Sequence, residues 1–220
     1  MKKAVIFDMD GVILDSETLV FQCWNVVADK YGVKDIEEAC TECLGINSVE
    51  TKNRFLKRYG KDFPYDEYKS EMSAMFHKIA GEGGLDLKPG AKEILSWLKE
   101  KGFKVALATS TRKVVAEQEL QQAGVLKFFD ALVCGDMIEK SKPEPDIYLA
   151  AAKALGESPK DCYAIEDSYN GIRSACSAGM DVIMVIDRLP ENEETKEKCC
   201  HTCSSLLEAM EFMGKLVKSV

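Results

Sequence analysis

The sequence lacks the features of a membrane protein or a nucleic-acid-binding protein. No apolar run approaches the roughly 18 residues of a membrane-spanning helix, and no segment is rich in Lys and Arg. The 29 basic and 37 acidic residues give a formal net charge of −8, whereas a duplex-binding protein needs clustered positive charge. Proline and glycine are scarce, with 6 and 15 of 220 residues, which argues against a disordered or collagen-like chain. We therefore expect a folded protein that binds neither membranes nor nucleic acids.

The sequence also shows neither a secretory signal nor the cysteine spacing of a disulfide framework. Lys2 and Lys3 precede an apolar stretch, but Asp8 and Asp10 interrupt it, so we interpret this stretch as a core strand. The nine cysteines are an odd number and are scattered along the chain. Their two closely spaced pairs, at 40/43 and 200/203, are too far apart in sequence to indicate one compact zinc unit. We predict reduced thiols and a soluble, cytoplasmic protein.

What the sequence does contain is an alternation of strand and helix patterns. Short apolar runs rich in β-forming residues predict strands at 4–7, 104–108, 131–134, 162–165 and 182–186. Helical patterns predict helices at 89–101, 113–123, 146–155 and 171–178. Strands that alternate with helices in this way form a parallel sheet with helices on both faces. The sequence therefore predicts a doubly wound, Rossmann-like α/β core.

One long segment interrupts this alternation after the first strand. Residues 16–85 show helical periodicity without a convincing strand, as in the stripe formed by Leu19, Cys23 and Val27. Such stripes are typical of packing faces rather than of ligand contacts. We predict a core domain of residues 1–15 and 86–220, with residues 16–85 inserted as a helical cap.

Polar residues follow the predicted strands at their carboxyl ends, where a parallel sheet binds its ligands. They are Asp8 and Asp10 after the first strand, Thr109 and Ser110 after the second, Lys142 after the third, and Glu166 and Asp167 after the fourth. Carboxylates clustered at one edge repel one another unless a cation neutralises them. An oxygen-only ligand set favours Mg²⁺. A carboxylate beside Mg²⁺ and a lysine is suited to phosphoryl transfer through an aspartyl-phosphate.

The same residues form a pattern that resembles the haloacid dehalogenase superfamily. Its four motifs are matched by Asp8-Met9-Asp10-Gly11-Val12, Thr109, Lys142 and Glu166-Asp167. The motifs occur in the family's order, each at a predicted strand end, and the resemblance covers nearly the whole chain. The run from Phe7 to Ser16 and the helical insert resemble the subfamily of phosphatases and β-phosphoglucomutases.

This resemblance implies a role for each motif residue. Asp8 would be the nucleophile, and Asp10 would protonate the leaving alcohol and then activate water. Thr109, Ser110 and Lys142 would bind the phosphoryl oxygens. Mg²⁺ would be bound by Asp8, by the backbone carbonyl of Asp10, and by Asp167, with Glu166 acting directly or through water.

The function that the resemblance implies is a Mg²⁺-dependent phosphatase acting on a small phosphorylated metabolite, such as a sugar phosphate. The alternative is a mutase of the β-phosphoglucomutase type. Such mutases carry a His about five residues after the Asp that Asp15 matches, and an Arg in a cap loop. Val20 and Ser48 stand at these positions here, so the sequence favours the phosphatase.

Two further alternatives fit the motifs less well. Dehalogenases of the superfamily need neither the second Asp nor Mg²⁺, whereas this sequence keeps Asp10 and the Glu166-Asp167 pair. A catalytically inactive binding protein is expected to have lost a motif carboxylate, and none is missing. The sequence does not identify the substrate, which we expect the cap to select. It does not determine the oligomeric state either, and it is compatible with a monomer.

Overall fold

The computed structural model describes residues 2–43 and 48–218. The chain divides into a core unit, Met1–Asp15 with Asp86–Val220, and an insert unit, Ser16–Leu85. Every helix in the described ranges lacks the length or the apolar character needed to cross a lipid bilayer. Residues 44–47, which directly precede Ser48 in the loop where the mutases carry an Arg, lie outside the described residues.

The described part of the core unit contains one sheet of six strands. They are β1 Ala4–Phe7, β2 Lys104–Thr109, β3 Ala131–Cys134, β4 Cys162–Glu166, β5 Asp181–Val185 and β6 Cys199–Cys203. Their spatial order is β3-β2-β1-β4-β5-β6, and every neighbouring pair is parallel. The chain adds β2 and β3 on one side of β1 and then reverses to the other side with β4. This reversal is the switch point of a doubly wound sheet, and it confirms the predicted fold class.

Helices connect the strands and account for most of the remaining chain. In the insert unit they are α1 Ser16–Lys30, α2 Ile36–Glu42, α3 Ser48–Tyr59 and α4 Tyr65–Gly81. In the core unit they are α5 Ala91–Glu100, α6 Lys113–Gln122, α7 Asp146–Leu155, α8 Tyr169–Ser177, α9 Glu193–Lys198 and α10 Leu206–Lys218. Helices α7 and α8 pack on the face of the sheet that carries Ala4 and Ile6. Helices α5 and α10 contact each other, and they also contact β2, β5 and β6.

The central strands are apolar because both of their faces are covered. All four residues of β1 are fully buried, which is the pattern expected of a strand inside a parallel sheet. Phe7 at the end of β1 is in register with Leu107 of β2 and with Ile165 of β4. The residues that follow β1 therefore emerge between the ends of two neighbouring strands, and this placement brings the site together.

The sequence analysis does not identify β6 or α10. Strand β6 lies at the edge of the sheet, and of its residues only Cys203 is buried, so it lacks the continuous apolar run of a central strand. Helix α10 buries Leu206, Ala209 and Met213, whose spacing of three and four residues is helical. The helical pattern of α10 is therefore present in the sequence. Strand β6 has no strand pattern of its own and forms by pairing with β5.

The insert unit contains a cluster of aromatic side chains. The ring of Trp24 in α1 lies 5.0 Å from that of Phe55 in α3 and 5.3 Å from that of Tyr68 in α4, measured between centroids. The Tyr68 hydroxyl donates a buried hydrogen bond of 2.8 Å to the backbone carbonyl of Trp24. Aromatic pairs at these separations stabilise packing beyond their buried area. The cluster therefore links three of the helices of the insert unit.

One acidic side chain is buried on a helix of the core unit. Glu119 on α6 is only 7% exposed. Burial raises the pKa of its carboxyl to about 7, and the nearby charge of Asp10 contributes in the same direction. Ionisation of this carboxyl therefore opposes folding, because the unfolded chain offers it a lower pKa.

We predict that Glu119→Gln stabilises the protein in mild alkali and has little effect in acid. Because the folded pKa is raised, the stability contributed by the neutral carboxyl is complete below the unfolded pKa and is lost as the pH rises through about 7. At about pH 8, the free energy of unfolding of the variant should exceed that of wild type by about 3 kcal/mol. Urea denaturation across this range measures it, with the half-exposed Glu117→Gln as control. A difference independent of pH would contradict the assignment.

Candidate active site

The ends of the central strands bring the predicted site residues to one edge of the core unit. Asp8 directly follows β1, Thr109 ends β2 and Glu166 ends β4. These three strands are neighbours at the switch point of the sheet, where doubly wound folds bind their ligands. Lys142 reaches the same edge from the segment between β3 and α7.

Lys142 lies between two of the carboxylates. Its Nζ donates a hydrogen bond of 2.7 Å to Asp8 Oδ1 and one of 2.6 Å to Glu166 Oε1. The Lys142 side chain is 8% exposed, and that of Glu166 is fully buried. Burial lowers the pKa of the Lys142 ammonium, but the charges of Asp8 and Glu166 outweigh burial and raise it above its usual range. Lys142 is therefore a permanent cation at the centre of the site.

Both carboxylate oxygens of Glu166 accept several hydrogen bonds. Oε1 accepts from Lys142 and from the Tyr148 hydroxyl at 2.8 Å. Oε2 accepts from the backbone N–H groups of Asp167 and Ser168, at 3.1 and 3.2 Å, and from the Ser168 hydroxyl at 3.0 Å. These bonds use the acceptor capacity of a carboxylate. Glu166 thereby orients Lys142 and the start of the loop that carries Asp167.

Three carboxylates of the site form a cluster suited to a metal ion. One oxygen from each of Asp8, Glu166 and Asp167 lies within 4.8 Å of the other two. Burial raises the pKa of Asp8 to about 7, although Lys142 lowers it. Burial and the charges of Glu166 and Asp8 raise the pKa of Asp167 well above its usual range. Ionising all three carboxylates beside the single positive charge of Lys142 is therefore unfavourable unless a further cation binds, and their hard oxygen ligands fit Mg²⁺.

Asp10, the fourth predicted carboxylate, does not belong to this cluster of three. It is half-buried, and its Oδ2 accepts a hydrogen bond of 3.0 Å from the Thr111 hydroxyl. Thr111 lies in the turn after β2, so the neighbouring strand orients the side chain that follows β1. The predicted contribution of Asp10 to a metal site is its backbone carbonyl, and that contribution stays a prediction.

Thr109 and Ser110, the two predicted phosphate ligands beside Lys142, lie where β2 ends. Thr109 is fully buried, and its Oγ1 accepts a hydrogen bond of 3.0 Å from the backbone N–H of Thr111. A hydroxyl that accepts in this way can still donate its own proton. Ser110 is exposed, and its backbone carbonyl lies so close to Gly135 that a Cβ there would overlap it.

Two glycines allow the carboxylates to approach the backbone closely. Gly11, after β1, has a φ of 75°, and a Cβ at this position would overlap Asp167 Oδ2. A Cβ on Gly171 in α8 would overlap the carboxylate of Glu166. A Cβ at either position would force the neighbouring carboxylate to move. The positions of Asp167 and Glu166 therefore depend on these glycines.

Two residues beside the cluster are missing from the sequence prediction. Tyr148 of α7 is fully buried and donates to Glu166, but the sequence shows only an aromatic residue in a helix. Asp187 follows β5, and its Oδ1 accepts a hydrogen bond of 2.6 Å from Lys88. The charge of Asp187 contributes to the raised pKa of Asp167. The position of Asp187 after the fifth parallel strand is the sequence signal that could identify it.

Known proteins match most of the chain. The family model described as haloacid dehalogenase-like hydrolase matches residues 5–185. A phosphorylated carbohydrates phosphatase of Thermotoga maritima is 34% identical over 181 residues, covering 82% of this chain and 83% of that protein. A beta-phosphoglucomutase of Bacillus subtilis is 34% identical over 191 residues, covering 83% of each protein. The crystal structure of CbbY from Rhodobacter sphaeroides in complex with phosphate has a TM-score of 0.73 and 28% identity, covering 94% of this chain and 96% of that one.

The range that the family model matches contains every residue predicted for the site, from Asp8 to Asp167. The similar proteins include a phosphatase and a phosphoglucomutase, which are the two activities of the subfamily that the motifs resemble. The strand order and the positions of the motif residues at strand ends agree with this match. The chain belongs to the haloacid dehalogenase-like hydrolase family.

Proposed function

We propose that this enzyme is a Mg²⁺-dependent phosphatase that hydrolyses a small phosphate monoester through a phosphorylated Asp8. The observation that supports the proposal most is the position of Lys142, 2.7 Å from Asp8 and 2.6 Å from Glu166. A carboxylate that attacks an anionic phosphate needs a fixed positive charge beside it, and this buried ammonium supplies one. The family match and the similar phosphatase agree with this reaction class.

In the first half-reaction, a carboxylate oxygen of Asp8 forms a bond to phosphorus while the bond from phosphorus to the leaving oxygen breaks. Asp10 donates a proton to that leaving oxygen, so the alcohol departs neutral. In the second half-reaction, the ionised Asp10 removes a proton from water, which attacks phosphorus and releases inorganic phosphate from Asp8. The hydrogen bond from Thr111 to Asp10 Oδ2 orients Asp10 for both transfers.

The remaining residues stabilise the phosphoryl group and hold the metal ion. Thr109, Ser110 and Lys142 bind the phosphoryl oxygens through hydroxyl, backbone N–H and ammonium donors. Asp8, the backbone carbonyl of Asp10, and Asp167 would hold Mg²⁺, which supplies Lewis-acid stabilisation of the charge on the phosphoryl oxygens. Because its oxygens already accept from Lys142, Tyr148 and Ser168, we assign Glu166 to positioning rather than to direct metal binding.

For the substrate, we propose a sugar phosphate. The similar protein of Thermotoga maritima is a phosphorylated carbohydrates phosphatase. Because the net charge of −8 offers phosphate esters no long-range attraction, Lys142 and the metal ion must supply the attraction locally. The second candidate is a phosphosugar mutase, because a beta-phosphoglucomutase of Bacillus subtilis is equally similar at 34% identity. Val20 and Ser48 in place of the mutase His and Arg favour the phosphatase.

We predict that Asp8→Asn removes phosphatase activity, because an amide is a poor nucleophile at phosphorus. Phosphate release from a panel of phosphorylated sugars should fall by about 10³-fold or more. Asp181→Asn, at an exposed position on β5, is the matched control and should keep full activity. Excess EDTA should abolish the activity, and added Mg²⁺ should restore it. A tenth of the wild-type activity in Asp8→Asn, or full activity in EDTA, would rule out the proposal.

We predict that Gly171→Ala lowers activity because its Cβ would displace the Glu166 carboxylate, which positions Lys142. A misplacement of about 1 Å can cost about 10²-fold in rate, so kcat should fall by about that factor. Gly214→Ala in α10 is the control, since a Cβ there makes an ordinary contact of 3.6 Å with Trp97. Equal kcat values for the two variants, both folded by circular dichroism, would show that Glu166 has no positioning role.

We predict that β-glucose 1-phosphate, where it is accepted, yields glucose and inorganic phosphate rather than glucose 6-phosphate. A mutase must anchor the distal phosphate and keep water from Asp8-phosphate, and Ser48 cannot make the bidentate contacts of an Arg. The assay couples the reaction to glucose 6-phosphate dehydrogenase, with a sugar bisphosphate as primer and a parallel measurement of phosphate. NADPH formation without matching phosphate release would establish the mutase instead.

A further inference from the structure

One buried carboxylate oxygen beside the site has no hydrogen-bond partner among the described residues. The side chain of Asp187 is 8% exposed, and its Oδ1 accepts the hydrogen bond from Lys88. Its Oδ2 is buried and has no hydrogen-bond partner within residues 2–43 and 48–218. A buried carboxylate oxygen is unfavourable unless a donor or a cation satisfies it. The position of Asp187 Oδ2 therefore points to a ligand.

This oxygen lies near Asp167, one of the three carboxylates of the cluster. The position that a Cβ on Gly11 would occupy overlaps Asp167 Oδ2 and lies 3.3 Å from Asp187 Oδ2. The carboxylates of Asp167 and Asp187 thus both lie next to Gly11, where the absence of a side chain leaves space for them. They also interact electrostatically, since Asp187 is one of the charges that raise the pKa of Asp167.

Lys88 determines which oxygen of Asp187 is left without a partner. Its Nζ lies 2.6 Å from Asp187 Oδ1 and 3.6 Å from Asp15 Oδ1. This contact fixes the carboxylate so that Oδ2 points away from the ammonium. The hydrogen bond from Lys88 goes to Oδ1, and Oδ2 has no hydrogen-bond partner in the described part of the chain. Lys88 therefore orients Asp187 through one oxygen and leaves the other available to a further donor.

We propose that Asp187 is a positioning residue of the metal site, and this inference rests on the proposed function. Its Oδ2 accepts a hydrogen bond from the hydration shell of the divalent cation that Asp8 and Asp167 bind. Mg²⁺ bound by only a few carboxylates keeps several waters, and such waters are the donors that Oδ2 lacks. Outer groups of this kind typically change metal affinity by about 10- to 100-fold.

The test is the affinity of the intact chain for Mn²⁺, used as a spectroscopic probe for Mg²⁺ and measured by electron paramagnetic resonance without substrate. Asp187→Asn keeps the shape of the side chain but places an NH₂ donor where Oδ2 was, since the amide oxygen pairs with Lys88. The Kd for Mn²⁺ should rise by about 10-fold or more, whereas the melting temperature of the metal-free protein should stay close to that of wild type. Asp181→Asn, at the exposed start of β5, should leave the Kd unchanged.

A double variant covers the case in which Asp187→Asn does not fold. Lys88→Met with Asp187→Ala removes the ion pair without leaving either charge buried alone, and the same rise in Kd is expected. Wild-type affinity for Mn²⁺ in a folded variant would overturn the inference and leave the proposed function intact. A wild-type chain that binds no Mn²⁺ would overturn both.

Discussion

The concentration of negative charge around Lys142 is the constraint on which the site depends. Strands β1 and β4 are neighbours at the switch point of the sheet, so the carboxylates that follow and end them, Asp8 and Glu166, emerge side by side. Each is buried, and a buried carboxylate without a partner costs several kcal/mol. The Lys142 ammonium contacts both. One side chain thus compensates the charge that the sheet topology brings together.

The helices around the sheet hold this arrangement in place from two directions. Helix α7 supplies the Tyr148 hydroxyl to Glu166, and Ser168, at the N-terminal cap of α8, supplies a second hydroxyl to the same carboxylate. Gly171 gives that carboxylate the space it occupies. Donors fixed before a substrate arrives need no reorganisation during the reaction. The packing that stabilises the core unit therefore also prepares Lys142 to meet a phosphoryl group.

The sequence predicts the fold and the edge of the sheet where the motif residues lie, because both follow from local pattern. A strand such as β1, which is buried on both faces, must be a continuous apolar run. The polar residues that follow such a run can therefore be identified directly from the sequence. The position of Asp187 after β5 can be read in the same way, but Tyr148 and Glu119 lie on helices and carry no such signal. The burial and the partners of all three residues arise only when distant segments pack together. Edge strand β6 is not predicted for the same reason: it contains no apolar run, and it forms a strand because it pairs with β5.

The measurement that tests the central claim most directly is the location of the phosphoryl group on the protein during turnover. Asp10→Asn cannot activate water, and p-nitrophenyl phosphate has a leaving group that departs without an acid, so a phosphorylated chain should accumulate. Peptide mass spectrometry of the acid-quenched variant should place one phosphoryl group on Asp8, and hydroxylamine should remove it. A phosphoryl group on any other residue, or release of p-nitrophenol with no phosphorylated protein, would contradict the account.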